Sequence, residues 1–195
     1  GTAEMKNLLG GKGANLAEMN HLGIPVPPGF TITTDVCTHY YENDQTFPDE
    51  LETELTDALQ VTEQIMGTKF GDEQDPLLVS IRSGARQSMP GMMETVLNVG
   101  LTTKTIPGLI KKTNNAQFVY DAYRRLIMMY ADVVMEKAAG IEVEEGQGIR
   151  NRLESLLEIH KKENQYQNDT DLNGDDWKLL SDKFKAEISS TLGDE

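Results

Sequence analysis

Cysteine is almost missing from this sequence, which holds one, Cys37, in 195 residues. A single cysteine excludes a disulfide within the chain and is typical of a protein in a reducing compartment. The longest apolar runs fall well short of the roughly 20 residues that a membrane-spanning helix needs, and nothing in the sequence resembles a signal peptide. These features predict a soluble protein of the cytoplasm with no membrane partner.

Positive charge is also scarce, because 18 Lys and Arg face 32 Asp and Glu and the formal net charge is -14. Such a chain repels polyanions at long range, so nucleic acid is not an expected partner. If an anion binds, a few local cations and backbone N–H groups must hold it. Only five basic residues precede residue 102, and three of them lie in or beside glycine-rich segments: Lys12, Arg82 and Arg86.

The hydrophobic pattern divides the chain into two zones, with a boundary expected between residues 101 and 102. The first zone mixes short helices and strands. Three helices are predicted in this zone: one over 11–22, one that begins after Thr34 as its N-cap, and one over 49–66 that ends at Gly67. Three strands are predicted, over 30–33, 77–81 and 95–99, and the strand over 77–81 is expected to be buried. The second zone predicts only helices, over 118–135, over 149–159, and after Asn173, where Leu172 and Trp177 are spaced as a hydrophobic staple. The fold class is therefore α+β, with short strands and helices followed by a small helical bundle subdomain.

The first candidate site is residues 8–16, which read LLGGKGANL. Glycines let a backbone approach a ligand closely, and a helix start presents free N–H groups to which Lys12 adds a point charge for phosphate. The segment is not a Walker A loop, because Gly13 stands where Ser or Thr is needed. It is not a dinucleotide fingerprint either, because Leu16 replaces the third glycine. The alternative is a tight turn before a helix with a lysine in solvent.

The second candidate site is residues 80–93, SIRSGARQSMPGMM, which follow a predicted strand. Two arginines, two serines and flexible glycines are the parts of a polyphosphate cradle. The site would comprise Arg82, Arg86, Ser88 and the apolar turn Met89, Pro90, Gly91 and Met92. In so acidic a chain, the arginines could instead pair with carboxylates while the methionines fill gaps in the core.

Other polar residues are expected to be structural. His21, His39 and His160 lack catalytic or metal-ligand neighbours and are predicted on helix surfaces, and Cys37 is predicted to be a buried small hydrophobe. The acidic segment after residue 170 departs from a calcium loop and is interpreted as helix capping. Arg124 and Arg125 are predicted on a solvated helix face.

The sequence resembles a known family at these motifs. Residues 11–19 (GKGANLAEM) and 26–34 (VPPGFTITT) resemble the opening of the pyruvate phosphate dikinases and, more loosely, of the phosphoenolpyruvate synthases. Residues 82–95 (RSGARQSMPGMMET) resemble the dikinase form, whereas the synthases carry a different loop after the arginine. Residues 120–125 (YDAYRR) resemble the dikinase helical insert. The likeness covers the chain to about residue 136, weakens over 137–168 and returns around 170–185.

The resemblance implies part of an ATP-grasp-like nucleotide-binding domain. The family interconverts ATP, phosphate and pyruvate with AMP, pyrophosphate and phosphoenolpyruvate, and passes phosphate through a histidine on a swivelling domain. Lys12 and Arg82 match the family's ATP phosphate contacts, residues 88–92 match the stretch over the nucleotide, and Arg86 is a weaker match. Acidic Mg²⁺ ligands, the phosphohistidine domain and the pyruvate domain have no counterpart here, so the chain is expected to be an inactive N-terminal fragment of a homodimeric parent.

Two alternatives stay open at this point. The chain could be a stand-alone nucleotide- or partner-binding module without catalysis, or a relative that kept the fold and lost the chemistry. The intact motifs around Lys12 and Arg82 disfavour the second alternative. Because the strands of the first zone lack neighbours, an exposed hydrophobic face with weak self-association or marginal stability is also expected.

Overall fold

The structure, a computed structural model, describes residues 1–84, 95–144 and 146–193. The chain forms two compact units, one of Gly1–Phe70 with Arg82–Glu94 and the other of Gly71–Ile81 with Thr95–Glu195. The bounds of these units differ from the domain boundary expected between residues 101 and 102. The units describe contacts and not domains, so that boundary stays a prediction. The predicted α+β class is confirmed, since helices dominate and one small sheet is present.

Three helices make up the regular structure of the first unit: α1 (Lys6–His21), α2 (Thr34–Glu42) and α3 (Leu51–Met66). The end predicted for α3 is confirmed, because Gly67 closes it in the left-handed conformation at φ 69°. The N-cap of α2 is Thr33 rather than the predicted Thr34. Residues 30–33 are not the predicted strand, because no strand among the described residues pairs with them.

The sheet consists of two strands, β1 (Val79–Arg82) and β2 (Thr95–Val99), paired with each other. The bounds predicted for β2 are confirmed. The predicted burial of β1 is wrong, because Ile81 is 57% exposed and burial falls instead on Leu77, just before the strand. A small hydrophobic core lies near the sheet. It includes the buried residues Leu101 and Val119, and Leu78, which precedes β1, packs against it.

The predicted helical bundle is confirmed in the second unit. Its helices are α4 (Ile106–Thr113), α5 (Ala116–Tyr130), which continues as a π-helix (Ala131–Ala138), α6 (Ile149–Glu163) and α7 (Gly174–Leu192). Short 3₁₀ turns occupy Asp169–Asp171 and, in the first unit, Ala3–Met5. The apolar face predicted for 118–135 included Tyr130, which is 40% exposed, because the wider π-helix turns Ala131 and Asp132 inward instead.

The start of α7 confirms the capping prediction in detail. The Asn173 side chain accepts the N–H groups of Asp175 (2.8 Å) and Asp176 (3.1 Å), and the Asp176 carboxylate accepts the Asn173 N–H (2.9 Å). Leu172 and Trp177 flank this capping box and are both buried, as a hydrophobic staple requires. Trp177 and Phe184 then centre the core that α5, α6 and α7 share. Across the described ranges, no helix combines the length with the hydropathy that crossing a lipid bilayer demands.

Candidate functional site

A sharp kink splits the glycine-rich segment of α1. Gly10 adopts φ 69° and ψ 168°, a backbone conformation that is essentially restricted to glycine. The helix therefore starts afresh at Gly11, and the N–H groups of its first turn lack partners within the helix. Lys12 lies half-buried in that turn. The segment has the geometry expected of a phosphate-binding helix start, with backbone donors and one cation together.

The same kink packs against the second glycine-rich segment. A Cβ atom placed on Gly10 would lie 3.0 Å from the carbonyl oxygen of Gly84 and 3.1 Å from its carbonyl carbon. Gly10 is buried at this contact, and Arg82, which is exposed, precedes Gly84 by two residues. The structure thus brings together, within the first unit, the two segments that the sequence identified independently.

The remaining predicted site residues lie outside the described part of the chain. These are Arg86, Ser88, Met89, Pro90, Gly91 and Met92. Their assignment to the site therefore stays a prediction.

A cavity of about 540 Å³ borders the same junction at Gly84. Its walls come largely from α2 and the segments beside it, with Ile32, Thr33, Thr34, Val36, Cys37, Thr38, Tyr40, Tyr41, Phe47 and Gly84 as lining residues. The ring of Tyr40 lies 4.9 Å from that of Phe47 and 5.5 Å from that of Tyr41. The cavity is open to solvent, and aromatic walls with a few hydroxyl groups are found in small-molecule sites.

Two contacts attach the cavity wall to the glycine-rich segment. The Thr34 hydroxyl at the start of α2 donates to the carbonyl oxygen of Asn7 in α1. A Cβ atom on Gly13 would meet the Thr31 side chain at 3.0 Å, so α1 lies close to the strand-like segment that leads to the cavity. The prediction that Cys37 is buried is wrong, because α2 presents it toward this open cavity rather than a core.

The described residues offer no preformed cluster of metal ligands. They contain no group of three or more His, Cys, Asp or Glu side chains close enough to hold a metal. Mg²⁺ is commonly held by one or two carboxylates together with substrate phosphates, so its place in this site stays a prediction.

Arg124 was predicted on a solvated face, and that prediction is wrong. Its guanidinium lies 4.4 Å from the Trp177 ring centroid and pairs with Asp121 (2.8 Å) and Asp169 (3.3 Å), leaving the residue 7% exposed. Two carboxylates neutralise this cation, so Arg124 stabilises the packing of the second unit.

His160 is likewise buried rather than on a helix surface. Its Nε2 lies 3.1 Å from Oδ1 of Asp176, whose Oδ2 accepts from the Tyr166 hydroxyl and the Asn173 N–H. Burial raises the pKa of Asp176, but the hydrogen bonds from Asn173, His160 and Tyr166 outweigh it and hold the pKa below its usual value. The network joins the end of α6 to the start of α7.

Sequence reasoning missed the kink at Gly10 and its contact with Gly84. A weak signal was available in the adjacent pair Gly10-Gly11 within a helical pattern, since glycine in a helix interior is costly without a structural reason. The partner could not be found from sequence, because the two segments are distant along the chain.

Comparisons with known proteins identify relatives of this chain. The family described as "Pyruvate phosphate dikinase, AMP/ATP-binding domain" matches residues 6–46 and 43–139. The chain is 48% identical over 195 residues to a pyruvate, phosphate dikinase of Clostridium symbiosum, covering all of this chain and 21% of that protein. It is 44% identical over 193 residues to the pyruvate, phosphate dikinase of Rhizobium meliloti (strain 1021), covering 99% and 20%. It is also 44% identical over 194 residues to the chloroplastic pyruvate, phosphate dikinase 1 of Zea mays, covering 100% and 19%. The chain thus spans about one fifth of the length of these curated relatives.

Proposed function

This chain belongs to the pyruvate phosphate dikinase AMP/ATP-binding domain family, and we propose that its first unit forms one wall of an ATP site. The observation that supports the proposal most strongly is the contact between Gly10 and Gly84, which joins the Lys12 segment to the Arg82 segment. Two cations that match the family's phosphate contacts thereby belong to one local structure.

The proposed roles follow from the chemistry of these side chains. Lys12 supplies a compact charge beside the free N–H groups of a helix start, and Arg82 supplies a planar fork that can bind two phosphate oxygens at once. Positive charge fixed in advance stabilises a phosphoryl-type transition state, in which charge spreads over nonbridging oxygens. In this proposal Arg86, Ser88 and residues 89–92 lie over the nucleotide.

The activity of the whole parent protein is part of the proposal. It would convert ATP, phosphate and pyruvate to AMP, pyrophosphate and phosphoenolpyruvate, through a histidine on a swivelling domain that also serves a pyruvate domain. The parent would be a homodimer with an ATP-grasp-like nucleotide-binding domain in the cytoplasm, although relatives such as that of Zea mays are named chloroplastic. This chain alone would be inactive, because it spans about one fifth of its relatives' length.

Magnesium would enter this site with ATP. The proposal places its acidic ligands in other parts of the parent. What these residues contribute is restricted to holding phosphate oxygens with Lys12, Arg82 and backbone donors.

The test is a titration of this chain with tripolyphosphate, followed by NMR shifts of the Lys12 and Arg82 signals. Half of a site still binds a phosphate chain weakly, so we expect saturable shifts at millimolar concentration. Arg82→Ala should abolish them, and Arg125→Ala, which removes the same charge from an exposed position in α5, should leave them intact. An unchanged spectrum of the wild-type protein would refute the proposed ATP wall.

A second candidate function is a stand-alone nucleotide- or partner-binding module without catalysis. The open cavity beside Gly84 favours it, because aromatic side chains and hydroxyl groups line it. Calorimetry with Mg-ATP separates the two functions. The half-site predicts no measurable heat for this chain alone, whereas clear binding that Arg82→Ala removes would establish the self-sufficient module.

A further inference from the structure

The backbone at Gly10 is tightly constrained. From its geometry we infer that Gly10 is a positioning residue, which fixes the helix start carrying Lys12 against the segment carrying Arg82. The inference rests on the proposed function, because it assigns a role to the contact between two phosphate-binding segments.

Two independent constraints meet at Gly10. Its φ of 69° and ψ of 168° exclude ordinary side chains, so the kink itself requires glycine. The space around it also requires glycine, because an added Cβ would approach the oxygen, the carbonyl carbon and the Cα of Gly84 at 3.0, 3.1 and 3.4 Å. These are backbone atoms, which cannot rotate away as the end of a side chain can.

The contact is asymmetric. A Cβ on Gly84 would lie 3.8 Å from the Leu9 carbonyl oxygen, which is an ordinary van der Waals distance. Gly10 therefore limits how closely the two segments approach, whereas the space around Gly84 does not require glycine.

A second contact holds the other side of the helix start. Gly13 and Ala14 are buried, and a Cβ on Gly13 would press on the Thr31 side chain at 3.0 Å. Lys12 lies between the buried positions Gly10 and Gly13, so its backbone has little freedom to shift. Because a misplacement of 1 Å can cost about a hundredfold in a catalytic rate, such a frame would matter for phosphate binding.

The test compares Gly10→Ala with Gly23→Ala in this chain, using tripolyphosphate as the probe. Gly23 is the matched control, since it follows the same helix with a φ of 75° and has open space around it. In the absence of probe, Gly10→Ala should shift the amide signals of Ser83 and Gly84 and leave Trp177 fluorescence, which reports on the second unit, unchanged. The tripolyphosphate affinity should fall at least about tenfold in Gly10→Ala and less than about twofold in Gly23→Ala.

The outcomes separate the two proposals. If the wild-type protein responds to tripolyphosphate and Gly10→Ala responds with the same affinity, the positioning role is overturned while the proposed ATP wall stands. If the wild-type protein does not respond at all, the proposed function fails, and the positioning role toward phosphate fails with it.

If Gly10→Ala unfolds the first unit, the positioning role of Gly10 is tested on the wild-type protein instead. Hydrogen exchange of the wild-type protein with increasing tripolyphosphate provides the second measurement. A rigid junction requires that residues 10–13 and 83–84 gain protection together, with one midpoint. Protection of one segment alone, or two separate midpoints, would overturn the inference.

Discussion

The two compact units bury their apolar side chains very differently. In the second unit, Trp177 and Phe184 are 1% and 0% exposed at the centre of a core shared by three helices. In the described part of the first unit, Ala14 is the only buried hydrophobic residue, while Tyr41 is 74% and Ile65 is 64% exposed. The second unit therefore contains its own source of hydrophobic stability, and the first unit has much less.

This comparison shows that a segment can form an amphipathic helix without burying its apolar side chains. The apolar spacing over 49–66 predicts a helix, and α3 forms there, yet its apolar residue Ile65 is exposed. In α7 a similar pattern is buried, because α5 and α6 supply the opposing surface. A pattern in one segment thus indicates a helix and a face, whereas burial depends on what lies opposite.

The largest expected effect comes from the centre of the second unit. Trp177→Ala should lower the free energy of unfolding by about 3–5 kcal/mol, through lost burial, a cavity and the loss of the Arg124 contact. Urea unfolding followed by far-UV circular dichroism measures it, since the variant lacks the only tryptophan. Leu179→Ala, at an exposed position of the same helix, should cost about 0.5 kcal/mol or less. Equal losses would contradict a core centred on Trp177.

A glycine comparison sharpens the contrast between the units. Gly108 in α4 packs directly on the carbonyl oxygen of Glu73, and an added Cβ would also lie 2.6 Å from that of Gln74. Gly108→Ala should therefore destabilise the second unit by about 1–3 kcal/mol through overpacking. Gly29→Ala in the first unit meets open space and should be neutral or slightly stabilising.

Two probes read this experiment. Trp177 fluorescence in urea follows the second unit, and far-UV circular dichroism follows both. A Gly108→Ala protein with the wild-type fluorescence midpoint would show that α4 and the Glu73 segment are not closely packed in solution.

Much of the fold could be predicted because its determinants are local. The left-handed end of α3 at Gly67, the bounds of β2 and the capping box of α7 each depend on residues within a few positions of one another. The strand expected over 30–33 failed for the opposite reason. A strand needs a partner, and the described residues provide none for this segment.

The candidate site was predictable as two segments and not as one junction. Lys12 and Arg82 were identified because cations are scarce in the first zone and both lie among glycines. The contact between Gly10 and Gly84 depends on a tertiary fold that no local pattern encodes. The buried states of Arg124 and His160 were missed for the same reason, since Asp169 and Asp176 reach them from other elements.

A smaller effect is expected at the capping network of α7. Asp176→Asn removes the ionised acceptor of the Asn173, Tyr166 and His160 hydrogen bonds and should cost the second unit about 1 kcal/mol at pH 7. Asp175→Asn makes the same charge change one residue earlier, at an exposed side chain.

The pH dependence of this pair has a definite sign. The pKa of Asp176 is lowered in the folded protein, so its stabilisation is present above its unfolded pKa of about 3.9 and is lost as the pH falls through the folded value. The stability difference between the two variants, measured by Trp177 fluorescence in urea, should stay constant from pH 7 down to the unfolded pKa of about 3.9 and shrink below it. A difference that stayed constant below that pKa as well would show that Asp176 does not act through its charge.

The smallest effect is expected in the first unit, where the Thr34 hydroxyl links α2 to α1. Thr34→Ala removes the hydrogen bond to the Asn7 carbonyl and should cost about 0.5 kcal/mol, since the bond is exposed to solvent. Hydrogen exchange of residues 7–13 should become measurably faster, while exchange in α7 stays unchanged.

Thr38→Ala is the control, because its hydroxyl donates within α2, to the Thr34 carbonyl. Because the described part of the first unit has little buried apolar surface, a weak bond there is expected to affect local stability measurably. Equal exchange rates in both variants would show that α1 and α2 are held together by other contacts.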